Sequence, residues 1–197
     1  MLIQVIQGKV KDADLLRRQE ERWLEEIKPG ARGYLGYTGG ITPDGRSINL
    51  VRFESAEAAQ ANSDRAEQAA WWNETAKAYD GDPTFNDCSE VDTWAGGGSD
   101  DAGFVQVVQG RAKDQDEMRS NIAEMEATIR ERRPDILGMT IAWHGDGGGF
   151  TQAVYFRSEE ETRQQEKATE QDEMRQEYTD MFEGQPVFFD LPEPRLY

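Results

Sequence analysis

Two amides, one guanidinium and a set of aromatic rings hold most of the chemistry this chain offers. Asn62 and Gln4 can hydrogen-bond an oxyanion, Arg65 can offset its charge, and Trp71, Trp72, Tyr34, Tyr37 and Tyr79 can wall a flat ring system. Asn62, Arg65 and Gln4 are therefore the candidate catalytic groups, and the five aromatics the candidate ligand-binding groups. Each also has a structural reading. Trp71 and Trp72 stand about 100° apart on a helix, so at most one faces squarely inward. Tyr34 and Tyr37 lie three positions apart on a strand and point to opposite faces. Metal-ligand spacing, a nucleophile beside its base and a phosphate-cradling loop are all missing, so no metal is expected. Glu20, Glu21, Asp100 and Asp101 fall on solvated surface or in a linker, and His144, beside a glycine-rich turn, reads as a solvated residue.

The elements that must position these groups are written twice. Ile3-Gln-Val-Ile-Gln-Gly8 returns as Val105-Gln-Val-Val-Gln-Gly110, and the agreement runs on through Asp14/Asp116 and Arg17/Arg119. Each copy opens on a strand and continues into a helix capped by Asp12 or Asp14, with Leu16, Trp23 and Ile27 on one face. Met118, Ile122, Met125 and Ile129 repeat that stripe in the second copy. Asp44-Gly45 and Asp146-Gly147 predict hairpins into third strands over 47–53 and 150–156. Ser55 and Ser158 open second helices. The first of these breaks near Asn62-Ser63, where Asp64 and Glu67 have capping-box spacing, and then runs to Tyr79. Fourth strands follow over 84–94 and 187–191.

Each copy is thus β-α-β-β-α-β, an α+β, ferredoxin-like arrangement. The expected domains are residues 1–94, a flexible Gly-rich linker over 95–103, and residues 104–197. Alanines along the second helix of the first copy (Ala58, Ala59, Ala61, Ala69 and Ala76) leave room for a pocket of a few hundred Å³. The matching helix of the second copy is crowded with charge, keeping only Ala168, Met174, Tyr178 and Met181 as an inner face, and reads as a support copy. Gln4 and Gln7 recur as Gln106 and Gln109, and either stitch the copies together across a seam or serve the pocket.

Composition sets the outer bounds. With 22 Lys and Arg against 39 Asp and Glu the formal charge is −17, which repels nucleic-acid phosphates and anionic lipid, so neither is an expected partner. No export signal or membrane-spanning run is present, and the single Cys88 forms no internal disulfide, which together give a cytoplasmic expectation.

Gly33-Tyr-Leu-Gly-Tyr37 after a Pro-Gly helix stop, followed by Val51-Arg-Phe-Glu-Ser-Ala-Glu-Ala-Ala-Gln60, resembles the dimeric α/β-barrel superfamily, and most nearly its antibiotic biosynthesis monooxygenase domains. Ile136-Leu-Gly138 and Val154-Tyr-Phe-Arg-Ser158 carry the resemblance into the second copy. The resemblance implies two ferredoxin-like repeats pairing their antiparallel sheets into an intrachain barrel, as a monomer with an internal pseudo-dimer or as a homodimer. It also implies a pocket between sheet and helices for a small aromatic molecule. The activity implied is cofactor-independent oxygenation, with a non-catalytic binding or structural protein as the alternative. Heme is disfavoured: where heme-degrading relatives carry their ligand histidine this chain has Trp71 and Met174, and their catalytic tryptophan position falls on Asn62. No cofactor is expected.

Overall fold

The computed structural model describes residues 1–145, 147–168 and 173–197; Asp146 of the second Asp-Gly turn and the side chain of Met174 lie outside the described residues. The chain divides into two compact units. Unit 1 comprises residues 1–89 together with 195–197, and unit 2 comprises residues 90–194.

Unit 1 contains β1 (Leu2–Lys9), α1 (Ala13–Arg22), β2 (Tyr34–Ile41), β3 (Arg46–Phe53), α2 (Ala56–Ser63), α3 (Ala66–Thr75), β4 (Thr84–Cys88) and, from the far end of the chain, β10 (Arg195–Leu196). Unit 2 contains β5 (Glu90–Trp94), β6 (Phe104–Arg111), α4 (Gln115–Arg132), β7 (Ile136–Trp143), β8 (Gly149–Phe156), α5 (Glu159–Ala168), α6 (Glu173–Asp180) and β9 (Val187–Leu191). Each unit has one five-stranded antiparallel sheet, in the orders β10-β2-β3-β1-β4 and β5-β7-β8-β6-β9. The four strands of each copy, β2-β3-β1-β4 and β7-β8-β6-β9, stand in the ferredoxin-like order.

The fifth strands were not foreseen. The stretch 84–94 is two strands broken at Ser89: β4 pairs with β1, whereas β5 pairs with β7 in the second sheet. In return β10, which follows the second copy, pairs with β2 in the first. The exchange moves the structural boundary away from the repeat boundary. Residues 95–103 form a folded turn of unit 2, with Ala95, Gly97 and Ala102 buried and the Ala95 amide donating to Glu126 Oε1 at 3.1 Å. Neither sheet closes into a barrel. The fifth strands continue each ladder at the β2 and β7 edges, and β4 and β9 end the other side.

Local signals explain the elements. Asp12 caps α1 by accepting from the Leu15 amide at 2.8 Å, Asp114 caps α4 through the Asp116 and Glu117 amides, and Ser55 caps α2 through Ala58. The break after Ser63 is present, but the capping box is not: Arg65 stands at the start of α3 without a side-chain cap, and Asp64 accepts from Gln60 instead. Both faces of the first sheet are buried. Ile3, Val5, Ile48 and Leu50 line one, and Leu2, Phe53 and Ala59 pack on the helix side. Three of the four repeated glutamines bond within their own sheets. Gln4 donates to Asp87 on the registered β4 position at 2.8 Å, and Gln106 repeats this with Asp190 at 2.9 Å. Gln109 donates to Thr151, and Cys88 is a fully buried strand residue. His144 is half-buried, with Nε2 2.9 Å from Thr151 Oγ1, and is not simply solvated. No helix among the described residues is long and apolar enough to cross a membrane.

The duplicated strand glycines sit where the fifth segment passes. A Cβ on Gly138 would stand 1.7 Å from the Gly97 carbonyl oxygen, and one on Gly36 would stand 2.8 Å from that of Tyr197. We expect Gly138→Ala to destabilise unit 2 by about 1–3 kcal/mol, because backbone must shift to admit the methyl. Gly145→Ala, with nothing within 4 Å of the added carbon, should leave urea unfolding unchanged.

Candidate functional site

The candidate site is a small cavity of about 90 Å³ between the helices and sheet of unit 1. Gln4, Asn62, Trp71, Trp72, Tyr34, Tyr37 and Tyr79 all line it. Of the residues singled out from sequence, Arg65 alone is absent from the walls.

Both tyrosines of β2 reach the cavity, contrary to strand alternation. A register shift between Tyr34 and Gly36 adds a residue on β2, so Tyr34 and Tyr37 fall on one face. Both tryptophans also line it: Trp71 packs toward Trp23 with ring centroids 6.3 Å apart, and Trp72 toward Phe85 at 5.0 Å. Their bulk lets neighbouring positions close two sides of one space. No alanine is among the lining residues; Ala61 and Ala69 face solvent.

The end of α1 widens into a π turn over Trp23–Ile27, in which the Lys28 amide reaches back to the Trp23 carbonyl. That turn presents Trp23 and Leu24 together to the cavity. The indole N–H groups are already committed: Trp23 donates to Gln68 Oε1 at 2.8 Å, and Trp71 to the Gln19 carbonyl at 2.7 Å. The ring faces therefore stand fixed and apolar.

Further polar groups of the cavity come from α1 and β3, where sequence reasoning missed them. Glu20, placed on solvated surface from its neighbours, is half-buried and lines the cavity. Its Oε2 lies 3.1 Å from Arg195 Nε, and its Oε1 accepts from the Tyr37 hydroxyl at 3.1 Å. That hydroxyl also lies 2.5 Å from Asn49 Oδ1. Tyr197, the last residue of the chain, adds a ring 5.7 Å from that of Tyr37. A signal for Glu20 was present: Leu16, Glu20, Trp23 and Ile27 share one helical face, which puts a carboxylate in the apolar stripe. Asn49 likewise alternates with buried Ile48 and Leu50. Tyr197 had no local signal.

Burial pushes the Glu20 carboxyl above its usual range, against the opposing pull of Arg195, the Tyr37 hydroxyl and Arg17. Burial and then the Glu20 charge hold the Tyr37 phenol well above its usual range, and burial raises Tyr79 as well. Tyr37 is thus a neutral hydrogen-bond donor at any ordinary pH.

Arg65 acts from behind the wall. Its Nη1 donates to the Ile27 carbonyl and to Asn62 Oδ1, each at 3.1 Å, joining the end of the π turn to the end of α2 and fixing the Asn62 amide.

The described residues of unit 2 leave a wider cavity of about 720 Å³, lined among others by Gln106, Gln152, Tyr178, Arg163, Phe156 and Phe188. The first copy spends its space on tryptophan, whereas α5 and α6 offer few large apolar side chains.

A proposed monooxygenase from Lactobacillus acidophilus superimposes on 100% of this chain and 98% of its own, with a TM-score of 0.69 at 13% identity. A proposed monooxygenase from Fusobacterium nucleatum matches over 99% of this chain and 93% of its own, with a TM-score of 0.76 at 11% identity. The chain has their tandem ferredoxin-like fold. An anthrone oxidase-like protein shares it over 99% of this chain and 92% of its own, at a TM-score of 0.68 and 12% identity. No family model and no curated protein matches the chain. Likeness at these identities concerns the fold, so the chemistry of the tandem fold in this chain is argued from its own residues.

Two outcomes test this geometry. Arg65→Met should cost about 1.5–3 kcal/mol in urea unfolding followed by tryptophan fluorescence, because the Ile27 carbonyl and Asn62 lose a charged donor. Because burial raises the folded-state pKa of Glu20, its protonated carboxyl adds stability that is complete below roughly pH 4.3. That stability is lost as pH rises through the raised value. Glu20→Gln should flatten this part of a plot of Tm against pH.

Proposed function

We propose that unit 1 binds a small planar aromatic compound, and that its turnover is a cofactor-independent oxygenation. The observation that carries this reading is the division of labour around the cavity. Trp23 and Trp71 spend their N–H groups on protein acceptors and present bare faces, while Glu20, Tyr37, Asn49 and Asn62 bring hydrogen-bonding groups to the same small space. A pocket of this kind orients a ring by stacking and its substituents by hydrogen bonds.

Volume sets the scale of the ligand. A cavity of about 150 Å³ holds benzene, and this one measures about 90 Å³. A single ring enters with small movements of the half-buried Trp71, Trp72 and Leu24, and a polycyclic compound does not. In cofactor-free oxygenation the substrate itself supplies the electron, so the site must favour its deprotonated form. Asn62, held by Arg65, is placed to hydrogen-bond the resulting oxyanion. The likeness of fold to proposed monooxygenases supports this class of chemistry, and the alternative within it is binding without turnover.

A second reading rests on the cavity of unit 2, whose 720 Å³ falls in the range of drug-sized ligands and would admit several fused rings. Titration of the full chain with phenol and catechol, read by tryptophan fluorescence, separates the two. Saturable quenching weakened by about ten-fold in Asn62→Leu, and unchanged in Gln152→Leu, places the ligand in unit 1. The reverse pattern places it in unit 2. Oxygen uptake with a panel of quinols should accompany binding in the wild type and be lost in Asn62→Leu; binding with no uptake would leave a binding protein.

A further inference from the structure

We infer that Glu20 is the proton acceptor of this site and selects ligands that carry a ring hydroxyl. The inference rests on the aromatic-binding reading and deepens it by naming the substrate class: monocyclic phenols rather than ring ethers or plain hydrocarbons.

The geometry supplies the argument. Glu20 is the one side-chain carboxylate lining the cavity among the described residues, and its side chain is 13% exposed. It stands in the stripe of α1 between Leu16 and Trp23, where an apolar residue would pack without cost. Arg195 from β10 and the Tyr37 hydroxyl from β2 take two acceptor sites, one on each oxygen. A carboxylate has roughly four such sites, so capacity remains for a ligand hydroxyl. The other charged and titratable groups facing it are Arg17 and Glu21 on its own helix, and Tyr79 and Tyr197 across the cavity. None of these is a second side-chain carboxylate lining the cavity.

The step balances without a co-reactant. The ring O–H bond breaks, its proton moves to a Glu20 carboxylate oxygen, and the bonding pair stays on the ring oxygen. One negative charge passes from carboxylate to phenolate. The Asn62 amide, which lines the cavity, can donate to the new anion, while Arg195 stays beside the protonated Glu20. Burial, which raises the Glu20 carboxyl, makes it a better acceptor than a solvated glutamate. An apolar ring pocket beside a buried acceptor also rejects a methyl ether, which leaves that acceptor without its donor.

The test compares phenol with anisole, and uses 4-nitrophenol, whose phenolate absorbs in the visible, to report protonation in the full-length protein. Wild type should bind phenol at least about ten-fold more tightly than anisole. Bound 4-nitrophenol should show the phenolate band at a pH where the free compound is mostly neutral. Glu20→Gln should lose both the preference and the band while binding anisole as wild type does. Tyr37→Phe, which keeps the carboxylate, should retain the preference. If Glu20→Gln keeps the preference, or only Tyr37→Phe loses it, the assignment to Glu20 is overturned and the pocket reading stands. If wild type binds phenol and anisole equally, selection for the hydroxyl is overturned while aromatic binding survives. If it binds neither, the pocket reading fails and takes this inference with it.

Discussion

The structure depends on one strand arriving at one edge. β10 pairs with β2 through Arg195 opposite Gly39 and Leu196 opposite Thr38, and the Tyr37 and Tyr197 backbones exchange hydrogen bonds at 2.8 and 3.1 Å. An open β2 edge would present unpaired amides and carbonyls to any other strand. The segment that covers it also completes the cavity, Arg195 by holding Glu20 and Tyr197 by adding a ring. Sheet and site are thereby closed by a single segment.

Unit 2 solves the same problem with the charges reversed. β5 pairs with β7, and its Asp92 receives Arg119 Nε from α4 at 2.5 Å and the Trp143 indole N–H at 2.6 Å. In unit 1 the cation stands on the fifth strand and the anion on the helix; in unit 2 the anion stands on the strand. Exchanging the two strands would set Asp92 against Glu20 and Arg195 against Arg119. Like charges at partly buried positions disfavour that pairing, so electrostatics helps assign each fifth strand to its sheet. The glycines at 36 and 138 complete the arrangement by removing the side chain where the incoming backbone passes.

The two copies have diverged in how they spend interior space. Unit 1 fills it with a chain of rings running from Phe53 through Tyr34, Trp23 and Trp71 to Trp72, each pair within 6.3 Å between centroids, and keeps about 90 Å³. Unit 2 concentrates its aromatics around Trp143, Phe150 and Phe182 and leaves a wider space beside Tyr178 and Gln152. A small polar-ended cavity suits orientation of a ring, and a large one suits bulk. Which of these a duplicated fold uses is a matter of side-chain volume, not of topology.

The sequence by itself determined the repeat, the β-α-β-β-α-β succession of each copy, a cap at Asp12 or Asp14 and another at Ser55, the break at Ser63, and the candidates Asn62, Gln4, Trp71, Trp72, Tyr34, Tyr37 and Tyr79. These are local: hydrophobic period, capping chemistry and turn residues act within a few positions. Only the tertiary structure decided that β5 and β10 leave their own copies, that a bulge turns Tyr34 and Tyr37 to one side, that Arg65 braces Asn62 from behind, and that Glu20 is inside. Strand exchange depends on which edge is open, and an edge exists only once a sheet has formed. The burial of Glu20 was faintly legible in its helical phase, but its meaning rests on Arg195, 175 positions away in the chain, and no local pattern connects residues so distant.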